Sequence, residues 1–365
     1  VLARGANMLT GLVVRSQCGV VALSCYVLLD NHRIAAGRQR RSGHDANALP
    51  RVNGAGENLV WSAADFENFL QPRPDLKPIM ETELEQIIRK LVDANWPWRI
   101  HATYDETIGR FLDVFERVHR DHPIDKLGWF IDHAETVSER NLERIQALGG
   151  GIAIQHRMAY QAEYFIRRYG KAAVQARPPL HTMLKMGLPI GGGTDGTRVA
   201  SYHPWTCLWW LVTGKSVGGT IINDPENRLS REEALRLWTK GSAWFSGEDG
   251  TKGELSVGQL ADFAVLDNDY FTIDEDVIRG IESVMTVMDG RIVYSKDEFA
   301  AQDPDLPPVS PDWSPVQQHG GYHNSHTKAE PGTDHHHNHQ HTPGHSHWVM
   351  GADGRAWQTG CNCSV

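Results

Sequence analysis

Four short apolar runs, each ending at or beside a polar residue or glycine and most set between helical segments, constrain this chain more than any other feature. They are Pro97-Trp98-Arg99-Ile100-His101-Ala102, Leu127 to His133, Gly151 to His156, and Leu188 to Gly193. Each is apolar almost throughout rather than alternating, the pattern of strands buried on both faces of a sheet. Between them lie segments with the 3.6-residue spacing of amphipathic helices. The first spans Pro78 to Asn95, with Leu84, Ile87, Ile88, Leu91 and Val92 on one face. Others run from about Glu106 to His119, from the cap Ser138 to Leu148, from Gln161 to Tyr169, and from Pro179 to Met186. Strand and helix alternate at roughly 25 to 35 residues per unit, which predicts parallel βα units. A doubly wound sheet and a (β/α)8 TIM-like barrel both satisfy this pattern. Gly191-Gly192-Gly193 runs into Thr194-Asp195 without a G-x-G-x-x-G opening a helix, so a dinucleotide fold is the poorer fit.

The flanks read differently. Residues 1–52 form an atypical N-terminal segment, residues 53–250 the barrel portion, residues 251–300 a C-terminal β module, and residues 301–365 a Pro/His-rich tail. Ser230 with Glu233 makes a capping box for a helix reaching Lys240. Leu260 to Leu266 and Val284 to Tyr294 read as strands of a small β-sandwich module, the second folded into a hairpin at Asp289-Gly290. Beyond Pro304 the Pro, His, Gly and Asp content predicts disorder. The chain begins on Val1 with no recognisable domain start, so a fragment or processed product is expected, and the barrel is read as incomplete at its N-terminus.

A formal charge of −9 argues against a nucleic-acid partner, which needs clustered cationic side chains. The one dense basic run, Arg38-Gln39-Arg40-Arg41, sits in loop-like text. Five scattered cysteines (Cys18, Cys25, Cys207, Cys361, Cys363) do not make a disulfide framework, so a reducing, cytoplasmic location is expected. Arg15, Ser16 and Gln17 break the apolar stretch Leu9 to Leu29 into pieces too short to span a bilayer, so no membrane partner is expected.

Three strands end at or just before a residue able to bind metal or move a proton: His101, His133 and Asp195. In a barrel the carboxyl ends of the strands converge on one mouth, and imidazole and carboxylate are common ligands of Zn²⁺. A single histidine at a strand end is more often a structural hydrogen-bonder. Three in successive units favour a site.

The segments His101-Ala102-Thr103-Tyr104-Asp105-Glu106, Asp132-His133-Ala134-Glu135 and Gly193-Thr194-Asp195-Gly196-Thr197-Arg198 resemble the amidohydrolase superfamily, most closely its YtcJ-like branch. The Ser230 to Thr239 helix and the Gly253 to Leu266 return strand, with its Gly258-Gln259-Leu260-Ala261-Asp262 phrase, resemble its C-terminal part. The resemblance implies that His101 and His133 are metal ligands from the fifth and sixth barrel strands. It implies that Asp195 touches the metal and moves the catalytic proton, and that the cofactor is a divalent ion, most often Zn²⁺. The activity implied is hydrolysis of carbon–nitrogen bonds other than peptide bonds in small molecules such as linear amides or formamides. Two parts of that pattern are absent: no His-x-His pair precedes His101, where only His32 and His44 occur, and no acidic or lysine ligand from mid-barrel stands out.

His156, Arg157 and Tyr160, and Arg198, Tyr202 and His203 beyond Asp195, are candidate substrate contacts, equally readable as supporting residues. Trp205, Trp209 and Trp210 are read as packing residues. The tail carries ten histidines between His319 and His347, with Cys361 and Cys363 beyond, a composition that chelates transition metals. The rival reading is therefore an inactive amidohydrolase fragment with a metal-binding tail. The oligomeric state is open, with a homo-oligomer compatible with the sequence.

Overall fold

The computed structural model describes residues 54–66, 69–70, 72–174, 177–196 and 199–305, with the backbone of Gly11–Leu12, His347–Met350 and Ala356–Thr359. The apolar runs form a parallel sheet of β2 (Arg99–Ala102), β3 (Phe130–His133), β4 (Gly151–Gln155) and β5 (Ile190–Gly193), hydrogen-bonded in that order. Arg99 pairs with Phe130, Phe130 with Gly151, and Ile152 with Ile190, so the carboxyl ends of the four strands lie at one edge. Among the described residues the parallel sheet is four strands wide. A short extended piece continues it past β2. Arg99 N–H donates to Ala55 O at 2.8 Å and His101 N–H to Glu57 O at 3.2 Å, so residues 55–57 run alongside β2.

Helices connect the strands because their apolar stripes need cover. α1 (Met80–Asp93) buries Met80, Leu84, Ile88 and Leu91, which recur every three or four residues. α2 (Asp105–Asp121) buries Ile108, Phe111, Leu112, Phe115 and Val118. α3 (Glu139–Ala147) begins where Ser138 accepts the Asn141 N–H, and Arg144 ties it to α2 through Glu116 and Asp113, each at 2.6 Å. After α3 the chain turns back at Gly149 with φ 70°, where a Cβ would run into the Asp125 backbone. α4 (Met158–Tyr169), α5 (Lys171–Val174) and α6 (Leu180–Met186) link β4 to β5. α4 starts three residues before the expected Gln161, because Met158 and Ala159 are themselves buried.

Three successive glycines in β5 have a packing cause. A Cβ on Gly192 would lie 2.8 Å from Trp238 and 2.9 Å from Leu237. The π-helical turn Leu237–Gly241 presses onto the strand there, and Ser242 Oγ both accepts the Gly192 N–H and donates to its carbonyl. This turn extends α8 (Arg231–Arg236), whose N-terminus carries the expected capping box, into α9 (Ser242–Trp244). α7 (Pro204–Thr213) is buried on nearly every side, with Trp205, Trp209 and Trp210 in the core.

The C-terminal module is a single antiparallel sheet in the described residues. It joins β1 (Gly11–Leu12), β6 (Phe263–Leu266), β7 (Ser283–Met288) and β8 (Arg291–Ser295) in that order. β7 and β8 meet through Asp289-Gly290, whose φ values of 51° and 72° suit a tight two-residue hairpin. Within the tail read as disordered, β9 (His347–Met350) and β10 (Ala356–Thr359) pair antiparallel; the remaining tail histidines lie outside the described residues. So do Arg38 to Arg41 and every cysteine except Cys207, which is buried on α7. No helix among the described residues is long and apolar enough to cross a membrane.

Candidate metal centre

Parallel pairing in register brings the ends of β2 and β3 side by side, with Ala102 opposite His133. The His101 and His133 rings lie 4.4 Å apart at 63°. Strict alternation would turn Asp132 and His133 to opposite faces of the sheet. It fails here because His133 and Ala134 take φ values of 77° and 51°, a region that non-glycine residues enter only when their surroundings hold them there. Asp132 thus reaches Arg99, the residue two before His101 on β2, while His133 meets His101 itself.

The third member of the group comes from the edge segment. Glu57 Oε1 lies 3.6 Å from His101 Nδ1, and Glu57, His101 and His133 each offer a ligand atom within 4.8 Å of the others. The sequence offers no convincing acidic ligand from mid-barrel, and the structure places the Glu57 carboxylate beside the two imidazoles. Its signal in the sequence is slight. The segment is three residues long, follows Gly54 and contains Gly56, and shows no apolar run.

Charged groups of both signs crowd this end of the sheet. Five carboxyl groups (Glu57, Asp65, Asp132, Glu135 and Asp195) lie at this end of the sheet against two guanidinium groups, Arg99 and Arg157. Arg99 spans Glu57 at 2.6 Å and Asp132 at 2.7 Å. Burial would raise the Glu57 pKa, but the His101 contact and the Arg99 charge help overcome it and hold the carboxylate well below its usual range. Burial likewise would lower the His101 pKa, yet Asp65 and Glu57 outweigh it and push it up to about 10. His133 lacks such partners, so burial, then the His101 charge, shifts it downward and favours a neutral ring. Asp132 is pushed up to about 7 because burial outweighs its ion pair with Arg99, and burial takes Glu135 to about 8.

His101 Nδ1 and both ring nitrogens of His133 are buried without a hydrogen bond, while His101 Nε2 faces Asp65 Oδ1 at 3.1 Å. Buried polar atoms seldom go unsatisfied. Two imidazoles and a carboxylate with facing donor atoms suit a divalent transition ion.

Asp195 stands beside this group and outside the set of three. It follows β5 with φ 49°, and its side chain is 37% exposed. Arg157 Nη2 donates to Asp195 Oδ2 at 3.0 Å, and Arg157 Nη1 lies 3.7 Å from Glu135. Arg157, expected as a substrate contact, is thus a buried bridge between two carboxyl groups. His156 is also buried, which takes its pKa down to about 3, and its ring lies 5.6 Å from that of half-buried Tyr160. His203 forms the N-cap of α7, and Tyr202 beside it is about half exposed. Arg198 lies outside the described residues.

Parallel strands whose ends gather histidine and carboxylate donors are the arrangement of metal-dependent hydrolases, and the chain belongs to the amidohydrolase family, whose model matches residues 36–294. It is 29% identical over 219 residues to the amidohydrolase YtcJ of Bacillus subtilis (strain 168), covering 58% of this chain and 40% of that protein. It is 25% identical over 199 residues to the N-substituted formamide deformylase of Arthrobacter pascens, covering 54% of this chain and 36% of the relative. The chain therefore spans about two fifths of the length of these relatives. A solved structure of an uncharacterised metal-dependent hydrolase from Pyrococcus horikoshii is 26% identical, with a TM-score of 0.46, covering 54% of this chain and 39% of that one.

Proposed function

We propose that this chain carries part of the active centre of a metal-dependent hydrolase acting on carbon–nitrogen bonds other than peptide bonds, in small linear amides or formamides. The observation that carries this reading is the gathering of Glu57, His101 and His133 within 4.8 Å at the carboxyl edge of a parallel sheet. Family membership supports it, and the deformylase relative suggests the substrate class. The sequential parallel strands fit a portion of a (β/α)8 barrel, with residues 251–300 as its appended β module.

In this reading His101, His133 and Glu57 hold a divalent ion, for which zinc is the proposed identity. Such an ion supplies Lewis acidity, acidifying water and polarising a carbonyl. Asp195 is close enough to share in the site through its charge, which acts on His133. Arg157 anchors it at 3.0 Å while 37% of the side chain stays accessible, so it can take a proton from the attacking water and return it to the leaving nitrogen. Glu135, pushed to about 8 by burial, holds the far side of Arg157.

The test is hydrolysis of a panel of N-substituted formamides and linear amides by the full chain in the presence of Zn²⁺. The expected result is turnover that falls about a thousandfold, about 4 kcal/mol, in Asp195→Asn. Equal rates for both proteins, or no turnover of any panel member, would overturn the reading.

A further inference from the structure

Asp65 lies in a bend between the turn Trp61–Ala63 and α1, thirty-six residues before His101, and its carboxylate is wholly buried. Burial of a carboxylate is costly unless its oxygens are occupied. Three backbone contacts occupy them: the Thr103 N–H donates to both oxygens at 3.1 and 3.0 Å, and the Tyr104 N–H to Oδ2 at 3.1 Å. These bonds fix the carboxylate to the chain just past β2. Its Oδ1 then lies 3.1 Å from Nε2 of His101, on the side of the ring away from Glu57. The ring is also confined laterally. Phe66, next to Asp65, meets it edge-on at 5.0 Å, and the His133 ring meets it at 4.4 Å.

We infer that Asp65 is a positioning residue that keeps the proton of His101 on Nε2 and so presents the Nδ1 lone pair to the space shared with Glu57 and His133. This rests on the metal-centre reading above. An imidazole ligand has two inequivalent nitrogens, and the hydrogen bond made by one decides which is left to bind. Nε2 faces the Asp65 carboxylate at 3.1 Å, whereas Nδ1 faces the Glu57 carboxylate at 3.6 Å. The plainer reading is that Asp65 serves only to tie the backbone of Thr103 and Tyr104 at the start of α2. The two differ in what they require of the ligand field: a backbone tie has no influence on which nitrogen binds or how strongly.

The experiment titrates the metal-stripped full chain with Co²⁺, following the visible absorption bands, in the wild type, Asp65→Asn and His133→Ala. Binding that survives in His133→Ala belongs elsewhere in the chain and is subtracted. Asparagine keeps an oxygen for the backbone donors but removes the charge facing Nε2. The expected result is a Kd for the His133-dependent event raised about 10- to 100-fold in Asp65→Asn, with altered band positions or intensities. An unchanged Kd and spectrum would overturn the role of Asp65 alone. No His133-dependent binding in the wild type would overturn both this role and the metal centre. A second measurement needs no substitution at Asp65: in the Zn²⁺-loaded wild type, ¹⁵N NMR of the His101 ring, assigned through its loss in His101→Gln, should show a proton on Nε2 and the metal shift on Nδ1. The reverse pattern contradicts the inference.

Discussion

His101 illustrates how one side chain can be tuned by its neighbours against its own burial. Burial alone lowers a histidine pKa, and the two carboxylates on either side of this ring more than reverse it, to about 10. A group whose pKa is raised on folding contributes stability that is complete below its unfolded value, near 6.5, and is lost as pH rises through its folded value. For the metal-free protein, the stability difference between wild type and His101→Gln should therefore be largest near pH 6 and shrink steadily towards pH 10. Urea denaturation at several pH values checks this; a difference that grows with pH would contradict it. The same carboxylates that favour a proton on this ring favour a cation in its place, which is why Glu57 matters more than its slight sequence signal suggests. Glu57→Gln should weaken Zn²⁺ binding at the centre by at least about tenfold, measured by competition with a chromogenic chelator.

At the scale of elements, the strands that carry His101 and His133 and the one that leads into Asp195 were legible because burial on both faces leaves an apolar run with an abrupt polar end. The helices were legible for the complementary reason: each buries one stripe, as Met80, Leu84, Ile88 and Leu91 do on α1. Glu57 and Asp65 escaped the same reading. Residues 55–57 hold a sheet position through backbone bonds to β2, without a side-chain pattern that could announce it. Asp65 meets His101 only through the three-dimensional path of the bend, and no spacing links them. The left-handed backbone at His133 was likewise invisible, although it decides which way the ring points. The glycines of β5 test the packing account. Gly192→Ala puts a methyl group 2.8 Å from Trp238 and should cost about 1–3 kcal/mol in denaturant unfolding. Ser230→Ala, which removes the capping box of α8, should cost about 1 kcal/mol.

Across the described residues a four-stranded parallel sheet, covered by helices, is accompanied by a four-stranded antiparallel sheet, and the metal-capable group Glu57, His101 and His133 gathers at one edge of the former. Family membership accounts for that architecture, and the Glu57 carboxylate facing two imidazoles accounts for the affinity proposed for a cation. The tail with its ten histidines supplies a competing set of donors in the same chain. A count of bound ions alone therefore says little about the centre. Location is what distinguishes the two. The most direct measurement is anomalous diffraction at the zinc edge from crystals of the full chain grown with Zn²⁺. The account predicts a peak among His101 Nδ1, the His133 ring and a Glu57 carboxylate oxygen, about 2.0–2.2 Å from each. Zinc found only at the tail histidines, with none among these three residues, would contradict it.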